Sequence, residues 1–98
     1  MRKSMSSLSK FLKEKRQALG MSQLEVARKL GYSSAQFVSN WERNLVAPPI
    51  DTLAVLIDLY KIPPAIVIQK IVEDTKGYLD EQLGTQKKRK ATLRKQMH

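Results

Sequence analysis

The stretch Ser22-Gln-Leu-Glu-Val-Ala-Arg-Lys-Leu-Gly31-Tyr-Ser-Ser-Ala35-Gln-Phe-Val-Ser-Asn40-Trp-Glu-Arg43 decides the architecture of this 98-residue chain. It reads as two short helices joined by a tight turn. Ser22 and Glu25 stand at the S-x-x-E spacing of a capping box, in which two side chains satisfy backbone N–H groups that have no partner within the helix. Leu24, Ala27 and Leu30 recur at helical spacing and predict a buried face. Gly31 closes the first helix, because a residue without Cβ takes a positive φ at no steric cost. Ser33 or Ser34 can cap the second helix, in which Phe37, Val38 and Trp41 form another apolar face. Trp41 has the alternative reading of a base-stacking residue, but its spacing from Phe37 and Val38 favours core packing.

The residues between these apolar positions are Ala35, Gln36, Ser39, Asn40 and Arg43, and only the small alanine among them is apolar. Gln and Asn amides pair in a bidentate manner with adenine, and Ala contacts a thymine methyl, so such a face suits a DNA major groove. The segment 22–43 is therefore read as a helix-turn-helix with residues 35–43 as the recognition helix.

Gly20-Met-Ser-Gln-Leu-Glu-Val-Ala-Arg-Lys-Leu-Gly31, followed by Phe37-Val-Ser-Asn-Trp-Glu-Arg43, resembles the Cro/phage-repressor family of helix-turn-helix domains, also called the xenobiotic-response-element family. The likeness runs from about Leu8 to Pro64. It implies an all-α, compact five-helix, lambda-repressor-like domain that acts as a dimer on a pseudo-palindromic operator. It also implies a phosphate contact for Gln23, base or nearby phosphate contacts for Gln36, Ser39 and Asn40, and a structural ion pair between Arg16 and Glu42. Two features depart from the family pattern. The turn Gly31-Tyr-Ser-Ser34 is one residue longer than the commonest form, which leaves Ser34, Ala35 and Gln36 competing to meet the first base edge. Asn44 stands where the family has glycine after Arg43, and asparagine is the next most tolerant residue in a left-handed cap.

Composition narrows the class. A chain of 98 residues is one small domain with at most an added helix or tail. The hydrophobic fraction of 42% supports a modest core, for which Phe11, Tyr32, Phe37, Trp41, Tyr60 and Tyr78 supply much of the bulk. The absence of cysteine excludes disulfides and thiolate metal sites, and it fits a reducing cytoplasm. No apolar run approaches the ~20 residues that span a bilayer, and the basic start Met1-Arg-Lys3 lacks the apolar core of a signal peptide. Of the net charge of +9, the segment Thr85–His98 carries +6 with no acid, leaving +3 for residues 1–84. A polyanionic partner is favoured, and nucleic acid is the simplest.

Taken in order, residues 1–6 read as a disordered lead-in and 7–64 as the helix-turn-helix domain. A first helix begins near Ser7 or Ser9 and runs to Leu19, burying Leu8, Phe11, Leu12 and Leu19, with Gly20 as its stop. Lys10, Lys13 and Lys15 lie off that face, either solvated or near a DNA phosphate. Asn44–Pro49 is a loop whose backbone, with Arg43, offers a second phosphate clamp, and Ser34 and Asn44 are further expected DNA backbone contacts. A fourth helix follows from Ile50 or Asp51 to Tyr60, with Leu53, Leu56, Ile57 and Tyr60 inward. Lys61–Pro64 breaks the chain, a proline being suited to the first position of the next helix. Residues 65–83 form a C-terminal helix in which Ile68, Val72, Thr75, Leu79 and Gln82 or Leu83 recur as an approximate heptad. That stripe can finish the core or pair two subunits, and Gly77 is a point where the helix can break. Glu73-Asp74 and Asp80-Glu81 read as solvated surface. Residues 84–98 form a basic, disordered tail.

Catalytic chemistry is not legible. The one histidine is His98, and no nucleophile has a partner, no glycine loop cradles phosphate, and no acidic or histidine cluster suggests a metal. No enzyme, cofactor or metal is expected. The expected function is a cytoplasmic, nucleoid-associated, sequence-specific transcriptional regulator, a dimeric repressor on double-stranded DNA. The rivals are an antitoxin that also binds a toxin through residues 66–83, a protein-interaction module, and a non-specific binder led by the basic tail.

Overall fold

The computed structural model describes residues 6–84, among which there are five helices and no strand: α1 (Ser7–Ala18), α2 (Gln23–Lys29), α3 (Gln36–Glu42), α4 (Ile50–Tyr60) and α5 (Pro64–Leu83). The sequence expectations for residues 1–5 and 85–98 lie outside the described residues.

Helix starts follow local chemistry. Ser6 is the N-cap of α1, its Oγ accepting from the Ser9 N–H at 3.0 Å. At α2 both halves of the capping box form: Ser22 Oγ accepts from the Glu25 N–H at 3.0 Å, and Glu25 Oε1 accepts from the Ser22 N–H at 2.7 Å. Neither Ser33 nor Ser34 is the N-cap of α3. Ala35 holds that position without a side-chain bond, and Ser34 Oγ accepts from the Gln36 N–H at 3.3 Å. The extra turn residue thus places the start of α3 one step later than a serine cap would.

The first four helices end alike. The residue just beyond each is left-handed, at φ +71° for Gly20, +90° for Gly31, +60° for Asn44 and +56° for Lys61. In each case the next N–H reaches back five residues, as in Leu45 to the Asn40 carbonyl at 2.9 Å and Ile62 to the Ile57 carbonyl at 3.0 Å. Asn44 takes the place of a glycine with little cost. Lys61 carries a Cβ penalty of about 1–2 kcal/mol, which is offset by the burial of Ile62 immediately after it.

The core gathers Leu8 and Leu12 from α1, Val26 and Ala27 from α2, Val38 and Trp41 from α3, Leu53, Leu56 and Tyr60 from α4, then Ile62 and Val67. Tyr78, expected to add bulk to the core, is instead 61% exposed on α5, and three further expected core residues are not there: Leu19 is 43% exposed, Leu24 40% and Phe37 50%. Leu19 lies past the last turn of α1. The two others show a phase error, because α2 is centred on Val26–Ala27 and α3 on Val38, Trp41 and Glu42.

The last helix corrects the sequence reading most. It runs unbroken through Gly77 for 20 residues, with Pro64 in its first turn. Its inward stripe is Val67, Ile71 and Asp74, one residue out of step with the heptad, so Ile68, Val72, Thr75, Leu79, Gln82 and Leu83 are exposed. Asp74 is not solvated surface. Its carboxylate accepts from the Ser7 N–H at 2.7 Å and the Leu8 N–H at 3.0 Å, while Glu73 accepts from the Ser7 hydroxyl at 3.0 Å. A carboxylate at the positive end of α1 both satisfies orphan donors and complements the helix dipole. Nearby, the Lys70 ammonium of α5 approaches the Phe11 ring of α1 at 5.5 Å, a cation–π contact between the two helices, and Lys15 approaches the same ring from within α1 at 6.0 Å.

Candidate nucleic-acid interface

A buried polar knot positions the second and third helices. Arg16 Nε and Nη2 donate to the two Glu42 carboxylate oxygens at 2.7 and 2.9 Å, and Nη1 donates to the Met21 carbonyl at 2.8 Å. Gln23 joins the knot, its Nε2 donating to Glu42 Oε1 at 2.9 Å. One carboxylate therefore ties α1, the first residue of α2 and the last residue of α3. The bonded Glu42 carboxylate holds the Arg16 guanidinium above its ordinary pKa, against the pull of burial in the other direction. Tyr60 lies beside the knot; burial, reinforced by the Glu42 carboxylate, pushes its phenol up to about 12. Sequence reasoning paired Arg16 with Glu42 through family resemblance alone, and it had no signal for the Gln23 bond. An amide NH2 has two hydrogens, so Gln23 retains one donor for an outside acceptor.

With Val38, Trp41 and Glu42 turned inward, helical geometry of about 100° per residue puts Gln36, Asn40 and Arg43 on the opposite side of α3. Gln36 and Arg43 are exposed, and Ser39 and Asn40 half-buried. Gln36 Nε2 donates to Asn40 Oδ1 at 2.9 Å, one turn along the helix. This leaves the Gln36 oxygen and the Asn40 NH2 outward, an acceptor and a donor held side by side. Ala35 is half-buried at the helix start, Ser34 is exposed just before it, and Asn44 is half-buried just after Arg43. Thus Ser34, Ala35, Gln36, Ser39, Asn40, Arg43 and Asn44 all belong to or immediately flank one short helix. Gln23 stands apart from them, anchored through Glu42. Arg28 and Lys29, exposed at the end of α2, add positive charge that the sequence reading did not single out.

Phe37 also belongs to this surface. Its ring lies 4.6 Å from Tyr32, and Tyr32 meets Trp41 edge-on at 6.1 Å, so a ladder of aromatics runs from the core to the exposed flank of α3. Counting helical phase from Val38 and Trp41 would have found it.

The arrangement provides amide donors, amide acceptors and cations on a rigid helix, which is hydrogen-bonding chemistry for an extended polar and anionic partner. Among the described residues no cluster of histidine or carboxylate side chains could hold a metal, and no helix is long and apolar enough to cross a membrane. A helix-turn-helix family model matches residues 12–67, more than half of the chain and the whole of α2 to α4. No curated protein and no solved structure matches.

Proposed function

The chain belongs to the Cro/phage-repressor (xenobiotic-response-element) family of helix-turn-helix DNA-binding transcription regulators, with an all-α, lambda-repressor-like fold, and from that premise we propose a sequence-specific repressor that binds a pseudo-palindromic operator as a dimer. The observation that carries the reading is the outward amide pair of Gln36 and Asn40 on a helix whose other side is locked into the core. In this reading α3 enters the major groove, where Gln36 and Asn40 read base edges, with lesser contacts from Ser39 and Ala35. Gln23, Ser34, Arg43 and Asn44 hold the phosphate backbone and set register without reading sequence.

Dimerisation is assigned to α5. Its outer stripe of Ile68, Val72, Leu79 and Leu83 is exposed at nearly heptad spacing, which supports pairing with a second copy. A groove of about 670 Å³ beside it, lined by Leu8, Ile50, Ile71 and Tyr78 among others, adds to the uncovered apolar surface. The same stripe supports the second reading, an antitoxin in which a toxin covers α5.

The test is fluorescence anisotropy of labelled DNA from upstream of the protein's own gene, against a scrambled duplex, from low to ~200 mM salt. Expected are a preference of at least ~10³, two chains bound per upstream duplex, and a loss of roughly 1–3 kcal/mol for Gln36→Ala or Asn40→Ala on that duplex alone. Equal binding of both duplexes at every salt concentration would refute operator recognition at this site. One chain per duplex would refute the dimer and favour a different partner for α5.

A further inference from the structure

Phe37 is the one large apolar side chain that α3 exposes. A single exposed hydrophobe is ordinary on a protein surface, but this one has two further properties. It occupies the first turn of α3, next to Gln36 and three residues before Asn40, and it is in the N-terminal part of a recognition helix that side chains meet base edges. It is also supported on one side: the Tyr32 ring lies 4.6 Å from it at an interplanar angle of 35°, and Trp41, itself 4% exposed, meets Tyr32 edge-on. A supported apolar edge beside two amides is suited to the one apolar group of the major groove, the C5-methyl of thymine.

We propose that Phe37 is a specificity-determining residue that reads a thymine C5-methyl next to the base contacted by the Gln36–Asn40 amide pair. The inference rests on the DNA-reading assignment made above. Gln36 and Asn40 fix the register, and the Phe37 ring discriminates at the adjoining step through contact with the methyl. A cytosine, or a uracil, leaves the ring facing a gap. The aromatic ladder is what makes the contact selective, because a freely rotating side chain would adapt to either base.

The test uses the full chain and duplexes that the wild-type protein enriches from a random library. Each thymine of the enriched site is replaced singly by uracil, which deletes one methyl and leaves every hydrogen-bonding group in place. Wild type is expected to bind about four-fold more weakly at one position per half-site, corresponding to about 0.8 kcal/mol for one buried carbon. Phe37→Ala is expected to lose that response at that position and keep the responses elsewhere, and Phe37→Leu, which retains apolar bulk if the Tyr32 stack is weakened, to keep part of it. Each variant is compared with itself on the two duplexes, so a change in its folded fraction cancels. If Phe37→Ala keeps the full wild-type pattern, the methyl is read by another group such as Ala35, and Phe37 serves only to cover Tyr32. If no sequence is enriched at all, base reading by α3 fails, and this proposal with it.

Discussion

Replacing Glu42 with alanine tests the reasoning about the buried knot most directly. The Glu42 carboxylate is 4% exposed and accepts three hydrogen bonds, two from Arg16 and one from Gln23. Glu42→Ala leaves the Arg16 guanidinium, 8% exposed, with the Met21 carbonyl as its remaining protein acceptor. Stranding a buried charge costs about 3–5 kcal/mol, a large share of the ~5–15 kcal/mol by which small domains are stable. At ~4 °C per kcal/mol for a domain near 100 residues, the melting temperature falls by roughly 12–20 °C. Stability follows from urea unfolding monitored by helical circular dichroism, with the slope against urea compared between variants to confirm a common unfolding reaction. Arg16→Met alone and Glu42→Leu alone, the two single variants of a closed cycle, are each expected to cost a similar amount, because each strands the other charge. The double replacement Arg16→Met with Glu42→Leu removes both charges and refills the space, so it is expected within ~1–2 kcal/mol of wild type, a coupling of at least ~2 kcal/mol. A Glu42→Ala loss below ~1 kcal/mol, or a double variant whose loss equals the two single losses added together, would refute the claim that the knot is desolvated and cooperative.

Asp74→Ala removes a charged acceptor from two backbone donors of α1 and is expected to cost ~1.5–3 kcal/mol. Hydrogen exchange should show the Ser7 and Leu8 amides losing protection, and unchanged protection would mean that the cap does not persist in solution. For Tyr60, the folded-state value of about 12 lies above the ordinary 10.0, so the unfolded chain gives up its proton first. The contribution is complete below pH 10 and is lost as pH rises toward 12, with a total of ~2–3 kcal/mol. Subtracting the pH profile of Tyr60→Phe should isolate this decline; parallel profiles would contradict a buried, neutral phenol.

Local chemistry was legible wherever it depends on residues close in the chain. The Ser22–Glu25 box, the stops at Gly20 and Gly31, the tolerance of Asn44 for a left-handed cap and the fitness of a proline to open α5 all rest on contacts within about one helical turn. The core positions of Trp41, Leu53, Leu56 and Tyr60 were legible for a related reason, since their periodicity survives any choice of partner. Short helices defeated that method. With seven residues in α2 and seven in α3, an apolar pattern fits more than one phase, and Leu24 and Phe37 were placed inward when each lies on a flank. The serine cap of α3 failed because two adjacent serines and a lengthened turn offered no unique start.

By itself, then, the sequence determined an all-α chain, the helix boundaries to within a residue or two, and the short helix that bears the amides. Only the tertiary structure decided which side of each helix is covered, because burial depends on the neighbour that arrives and not on spacing alone. That is why Val67, Ile71 and Asp74 turn inward on α5 while the heptad stripe stays outside. It is also why Asp74, 66 residues from the Leu8 amide that it caps, looked like surface charge. The bond from Gln23 to Glu42 has the same origin: two side chains 19 residues apart meet only after α2 and α3 have packed on α1.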